Sequence, residues 1–169
     1  MDTSARLLAG SAGLALAVSG LLTPMPADAA TPACTNHDLT ASYHRHDAGA
    51  GHTYGWIALK NTSGHACHTG GYGGISYVGD GNGTQIGAPA VRLKGKVATY
   101  VLKPGQRLRS PIDEVTALNF PKKKCRPHHV DGFRIYVPNA TKSQYVKHPT
   151  TGCRNHHVEL IHQKPYRRP

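Results

Sequence analysis

The sequence predicts an all-β fold, an antiparallel immunoglobulin-like β-sandwich of seven to nine short strands with two disulfides. Three observations lead there. Apolar residues recur in short runs of alternating pattern, and no segment after the first thirty residues sustains a 3.6-residue apolar period. Turn formers separate these runs, with 19 Gly and 12 Pro in 169 residues. Four cysteines stand far apart along the chain, an even number suited to two disulfides in an exported protein. Only 17% of residues are charged, which argues against a coiled coil or a long helical bundle, and the recurring Val, Ile, Leu and Tyr segments argue against wholesale disorder.

Residues 1–29 are expected to be an address rather than part of the fold. Arg6 gives a basic start, Leu7 to Leu22 form an apolar run, and Ala27-Asp28-Ala29 ends a polar stretch, the order of a cleaved secretory signal. The apolar run is about 16 residues and contains Gly10, Gly13 and Gly20, short of the roughly 20 needed to cross a bilayer. No second apolar stretch follows, so the processed chain, residues 30–169, is expected to be one secreted, extracellular domain with no transmembrane segment.

The elements follow in order. Leu39, Ala41 and Tyr43 alternate with Thr40, Ser42 and His44, as in a half-buried strand. Tyr54 to Lys60 is next, with Ile57 and Leu59 on one face and Trp56 and Ala58 on the other, before the turn Asn61-Thr62-Ser63-Gly64. Gly70 to Gly74 reads as a turn in which backbone passes close to backbone. Ile75 to Val78 and Thr84 to Ile86 flank Asp80-Gly81-Asn82-Gly83, a hairpin signal. Val97 to Leu102 stops at Lys103-Pro104-Gly105; Gln106 to Ile112, Phe133 to Val137, Gln144 to Val146 and His157 to His162 complete the strands.

Four cysteines allow three pairings. Antiparallel pairing of the first two strands sets the start of one beside the end of the other, bringing Cys34 near Cys67. The same reasoning across the strands at Phe133 and Tyr145 brings Cys125 near Cys153. The other two connectivities stay open at this point. A metal reading of the cysteines needs close pairs such as C-x-x-C, which are absent.

Taken in order, Cys34, Leu59-Lys60-Asn61-Thr62-Ser63-Gly64, Cys67, Gly71-Tyr72, Asp80-Gly81, Leu102-Lys103-Pro104-Gly105, Cys125, Phe133 to Pro138 and Cys153 make a pattern. It resembles a family of secreted actinobacterial proteins that carry a single domain of unknown function. The resemblance implies export, a β-sandwich and two disulfides, and offers no catalytic residues.

Motifs for catalysis are absent: there is no G-x-S-x-G, H-E-x-x-H, phosphate-binding or dinucleotide-binding pattern. Asp113 and Glu114 are adjacent, so on a strand they face opposite sides and do not form a glycosidase pair. A hydrolase needs a pocket where histidine and carboxylate groups converge, and no sequence feature announces one. The chain is therefore expected not to be an enzyme.

Two other features point to binding. Residues 122–169 hold 11 Lys and Arg against Asp131 and Glu159, and Lys122, Lys123, Lys124 and Arg126 form the densest run. Pinned by Cys125, this run is expected to present a fixed basic patch to anionic cell-wall polymers or glycans, with affinity that falls with salt. No aromatic-interleaved motif of a sequence-specific nucleic-acid reader accompanies it. The 12 histidines are the second feature. His44 and His46 lie two apart on a strand and so leave the same face, half of a zinc or copper site in the alternative reading. The principal expectation is a secreted, non-catalytic, basic interaction domain.

Overall fold

The computed structural model describes residues 30–169; the expected leader, residues 1–29, lies outside them. In chain order the strands are β1 (Leu39–Gly49), β2 (His52–Asn61), β3 (Cys67–Gly70), β4 (Gly74–Gly79), β5 (Thr84–Ile86) and β6 (Val91–Arg92), followed by β7 (Thr99–Leu102), β8 (Arg107–Val115), β9 (Pro127–Tyr136), β10 (Ser143–Cys153) and β11 (Ile161–Gln163). A 3-10 turn (Ala117–Asn119) and a one-turn helix α1 (Lys122–Cys125) lie between β8 and β9.

The strands form a five-stranded sheet in the order β1-β2-β8-β11-β6, a four-stranded sheet in the order β10-β9-β4-β5, and a ribbon of β3 and β7. Period-two alternation builds the interface between the two larger sheets. On β8, Leu108, Ser110, Ile112 and Glu114 are buried, while Arg107, Arg109, Pro111 and Asp113 face outward. Ile57 and Leu59 of β2 and Leu108 of β8 join Ile75 of β4 and Phe133 and Ile135 of β9 in one buried cluster, which makes the molecule a β-sandwich.

Turn chemistry places the strands as the residues require. Asp80, Gly81 and Gly83 all have positive φ in the β4–β5 hairpin, where Gly79 pairs with Thr84. Asn61 is fully buried; its side-chain amide donates to the carbonyls of His65 and Leu102, at 2.9 and 2.8 Å, and its Oδ1 accepts from Ser63. Gly70 closes on the Ala98 carbonyl, to which a Cβ would come within 2.0 Å, so the glycine-rich stretch is the close backbone approach that the sequence predicts.

Both disulfides join the cysteines that antiparallel pairing brings together: Cys34 to Cys67 and Cys125 to Cys153, with Cα separations of 4.9 and 4.6 Å. Leu39 sits opposite Asn61, and Cys153 opposite Pro127.

The strand inventory departs from expectation in four ways. The described residues hold eleven strands rather than seven to nine, because β3 and β6 are too short to carry a readable period. β1 and β10 each run 11 residues and β9 runs 10, starting at Pro127 rather than Phe133, all continued past the readable alternation by pairing with their neighbours. The strand expected over His157 to His162 forms only at Ile161–Gln163; Val158 and Leu160 are buried without strand pairing. Finally, β11 pairs with β6 in parallel, through His162 with Val91 and Gln163 with Arg92.

Candidate functional site

The predicted basic run occupies α1 and its C-terminal cap. Lys122, Lys123, Lys124 and Arg126 are all exposed, whereas Cys125 between them is fully buried in its disulfide. Arg126 takes a left-handed conformation, φ 52°, that closes the helical turn. The backbone N–H of Arg154 donates to Arg126 O, and the Asn155 side-chain amide donates to Lys124 O at 2.8 Å. The four cations thus stand on a turn fastened to the end of β10 by a disulfide and by hydrogen bonds.

A second cationic group was not legible in the sequence. Arg109 on the outer face of β8 exchanges two backbone hydrogen bonds with Arg167, at 2.8 and 2.9 Å. Its guanidinium lies 4.7 Å from the centroid of the Trp56 ring. Arg168 donates to the Val101 carbonyl at 3.0 Å and lies over Tyr100. Arg109, Arg167, Arg168 and Trp56, together with Tyr54 and His46, border a groove of about 660 Å³.

His44 and His46 share the outer face, as their spacing predicts, although a bulge between Arg45 and Asp47 intervenes. Both rings lie 5.7 Å from the Trp56 ring centroid, and His44 Nε2 hydrogen-bonds with Ser42 Oγ at 3.0 Å. Among the described residues, no three His, Cys, Asp or Glu side chains gather as metal ligands.

The histidines have another role in the fold. Five carboxylates each have a histidine partner: His52 with Asp113, His65 with Asp38, His128 with Asp80, His129 with Asp131 and His148 with Glu114. Among the described residues, Arg154, which reaches Asp80 at 3.5 Å, is the only Lys or Arg in an ion pair. The hydrogen bond from His128 holds the Asp80 carboxyl below its ordinary value of 3.8. Hydrogen bonds from the Thr35 backbone and then its hydroxyl do the same for Asp38, against the opposing effect of burial.

One of these pairs lies between the sheets. Glu114 is 5% exposed. It accepts hydrogen bonds from the Tyr43 hydroxyl on Oε1 at 2.8 Å, and from the Tyr77 hydroxyl and His148 Nε2 on Oε2 at 2.5 and 2.8 Å. Phe133 stacks on the His148 imidazole with 4.5 Å between centroids and 5° between planes. Burial, and then the Glu114 charge, push both phenols well above the usual tyrosine range, so they stay protonated donors.

Asp113 and Glu114 do face opposite sides, yet the fold brings Glu114 to a histidine from the other sheet. Histidine and carboxylate therefore converge where no motif announced it. The available signal was parity: Glu114 continues the inward series Leu108, Ser110, Ile112. Pro149, a residue confined to strand edges and bulges, marks the irregularity beside His148.

Neither the curated proteins nor the solved structures contain a match to this chain. A family model does match it over residues 34–163, from the first cysteine of one disulfide to the last residue of β11. By that match the chain belongs to the family described as the domain of unknown function DUF4232.

Proposed function

We propose that the protein is an exported, non-catalytic interaction domain whose basic surface contacts anionic cell-envelope or extracellular polymers. The observation that carries this reading is the division of labour among its charges. Histidines occupy five carboxylates, so Lys122, Lys123, Lys124, Arg126, Arg109, Arg167 and Arg168 keep their charge for a partner. Two disulfides support an oxidising compartment, and no helix among the described residues is long and apolar enough to cross a membrane. Glu114 supports binding over turnover: both its oxygens are engaged by donors, leaving it poorly placed to act as nucleophile or base.

Retention on a heparin column or on isolated cell wall tests the reading. Binding should collapse as NaCl rises, because the displaced counterions drive it. Converting Lys122, Lys123 and Lys124 to Gln and Arg126 to Asn, which tolerates the left-handed conformation, should flatten the salt dependence. With duplex DNA as the probe polyanion, the slope of log K against log salt should fall by about 3 to 4 if all four cations make contact. Salt-insensitive retention overturns the proposal.

A further inference from the structure

β1 and β10 are the facing edge strands of the two larger sheets, and each is interrupted by a bulge. In β1 His46 is the extra residue between the pairs Arg45–Gly55 and Asp47–Tyr54. In β10 His148 and Pro149 together span the step from Lys147, opposite Gly132, to Thr150, opposite Val130. A bulge bends its strand and re-aims the neighbouring side chains. Residues at both bulges border one cavity of about 310 Å³, with Glu114 and His148 in its wall.

The chemistry of that wall is specific. Glu114 receives the Tyr43 and Tyr77 hydroxyls and His148 Nε2 on its two oxygens, and with Glu114 accepting from all three, His148 Nε2 is the donor of its bond. The tautomer with its proton on Nε2 leaves Nδ1 as an acceptor, and the His148 ring makes its one hydrogen bond to the described chain through Nε2. A flip of the ring within its plane would keep the Phe133 stack but give up the Glu114 bond, which favours the present orientation. Arg45, exposed beside the β1 bulge, borders the same cavity and forms no ion pair with any described carboxylate. Thr53 and Thr150 add hydroxyls that donate or accept.

A ligand that satisfies this wall offers an anion to Arg45 and a hydroxyl donor to His148, and has room for little more than one ring, since the volume is at the low end for small-molecule sites. We propose that the cavity between the two bulges binds a small hydroxylated carboxylate of the sugar-acid class, its carboxylate on Arg45 and a hydroxyl donating to His148 Nδ1. A cation is repelled by Arg45 and finds Glu114 already engaged by three donors. A neutral sugar leaves Arg45 without a partner. The site is separate from the basic turn and does not depend on polymer binding there.

Calorimetry with D-glucuronate and D-glucose on the purified protein, together with the side-chain nitrogen resonances of His148, tests this. Saturable binding of one glucuronate per chain is expected, with glucose at least about tenfold weaker, and Arg45→Gln should remove that preference. The His148 Nδ1 resonance should move with glucuronate, in the wild type and equally in a variant with Lys122, Lys123 and Lys124 changed to Gln. A glucuronate-terminated disaccharide distinguishes a chain end from the free sugar acid as the source; tighter binding of either supports the site. No saturation at about 20 mM glucuronate, no preference over glucose, an unmoved His148 resonance, or binding lost in the lysine variant each overturns it.

Discussion

Single residues set two measurable properties of this protein. Asp38 accepts from the Thr35 backbone N–H and hydroxyl, both at 2.7 Å, and so orders the turn that follows Cys34. Its folded-state pKa is lowered from 3.8, chiefly by those bonds. The carboxylate's contribution is therefore fully present above the unfolded-state value and is lost as pH falls through the folded-state value. Asp38→Asn should cost about 1 kcal/mol in urea unfolding at neutral pH, with the gap to the wild type closing as pH falls below 3.8 and through the lower folded-state value. Glu114→Gln should cost more, about 2–4 kcal/mol, because an amide has one acceptor oxygen for three buried donors. A variant as stable as the wild type in the same assay removes the network from the account of the core.

At the scale of elements, α1 shows how a fragment too short to persist alone is held in place. Its four residues Lys122–Cys125 place three lysines in one turn, and isolated helices of that length do not form in water. The Cys125–Cys153 disulfide and the bonds from Arg154 and Asn155 hold it instead. Replacing both cysteines with Ala should lower stability by about 2–4 kcal/mol by the loop-closure argument for a separation of 28 residues. Heparin affinity should drop in the same variant even under conditions where it stays folded, because the cations then lose their fixed geometry. Unchanged affinity would separate the turn from the binding surface. The bulges in β1 and β10 are the other instructive elements, since they interrupt regular pairing beside the most deeply buried carboxylate–histidine pair among the described residues.

For the whole molecule, charge is the dominant property. The sequence has 20 Lys and Arg against 9 Asp and Glu; leaving out residues 1–29, which contain Arg6, Asp2 and Asp28, the balance is 19 against 7. Since only Arg154 among the described cations meets a carboxylate, self-repulsion is offset by few internal ion pairs. Raising NaCl from about 0.05 to 0.5 M should therefore raise the melting temperature while weakening polyanion retention, since the same screening acts on both. A melting temperature that falls over this range would show that internal ion pairs outweigh the repulsion.

Local rules determined the β class, the hairpin at Asp80–Gly83, the preferred pairing of the four cysteines and the position of the basic run, and these were legible from the sequence. Alternation, turn chemistry and the pairing of successive strands all act between residues that are neighbours along the chain or across one antiparallel pair. Tertiary structure decided what depends on sheet order and register. Glu114 and His148 are 34 residues apart on strands of different sheets, and Arg109 meets Arg167 only where the chain end returns along β8. The histidine–carboxylate pairs likewise join segments up to 61 residues apart. No periodic pattern encodes these meetings, because one extra residue in a bulge redirects the side chains beside it, and only the packing of two sheets decides which of them face each other.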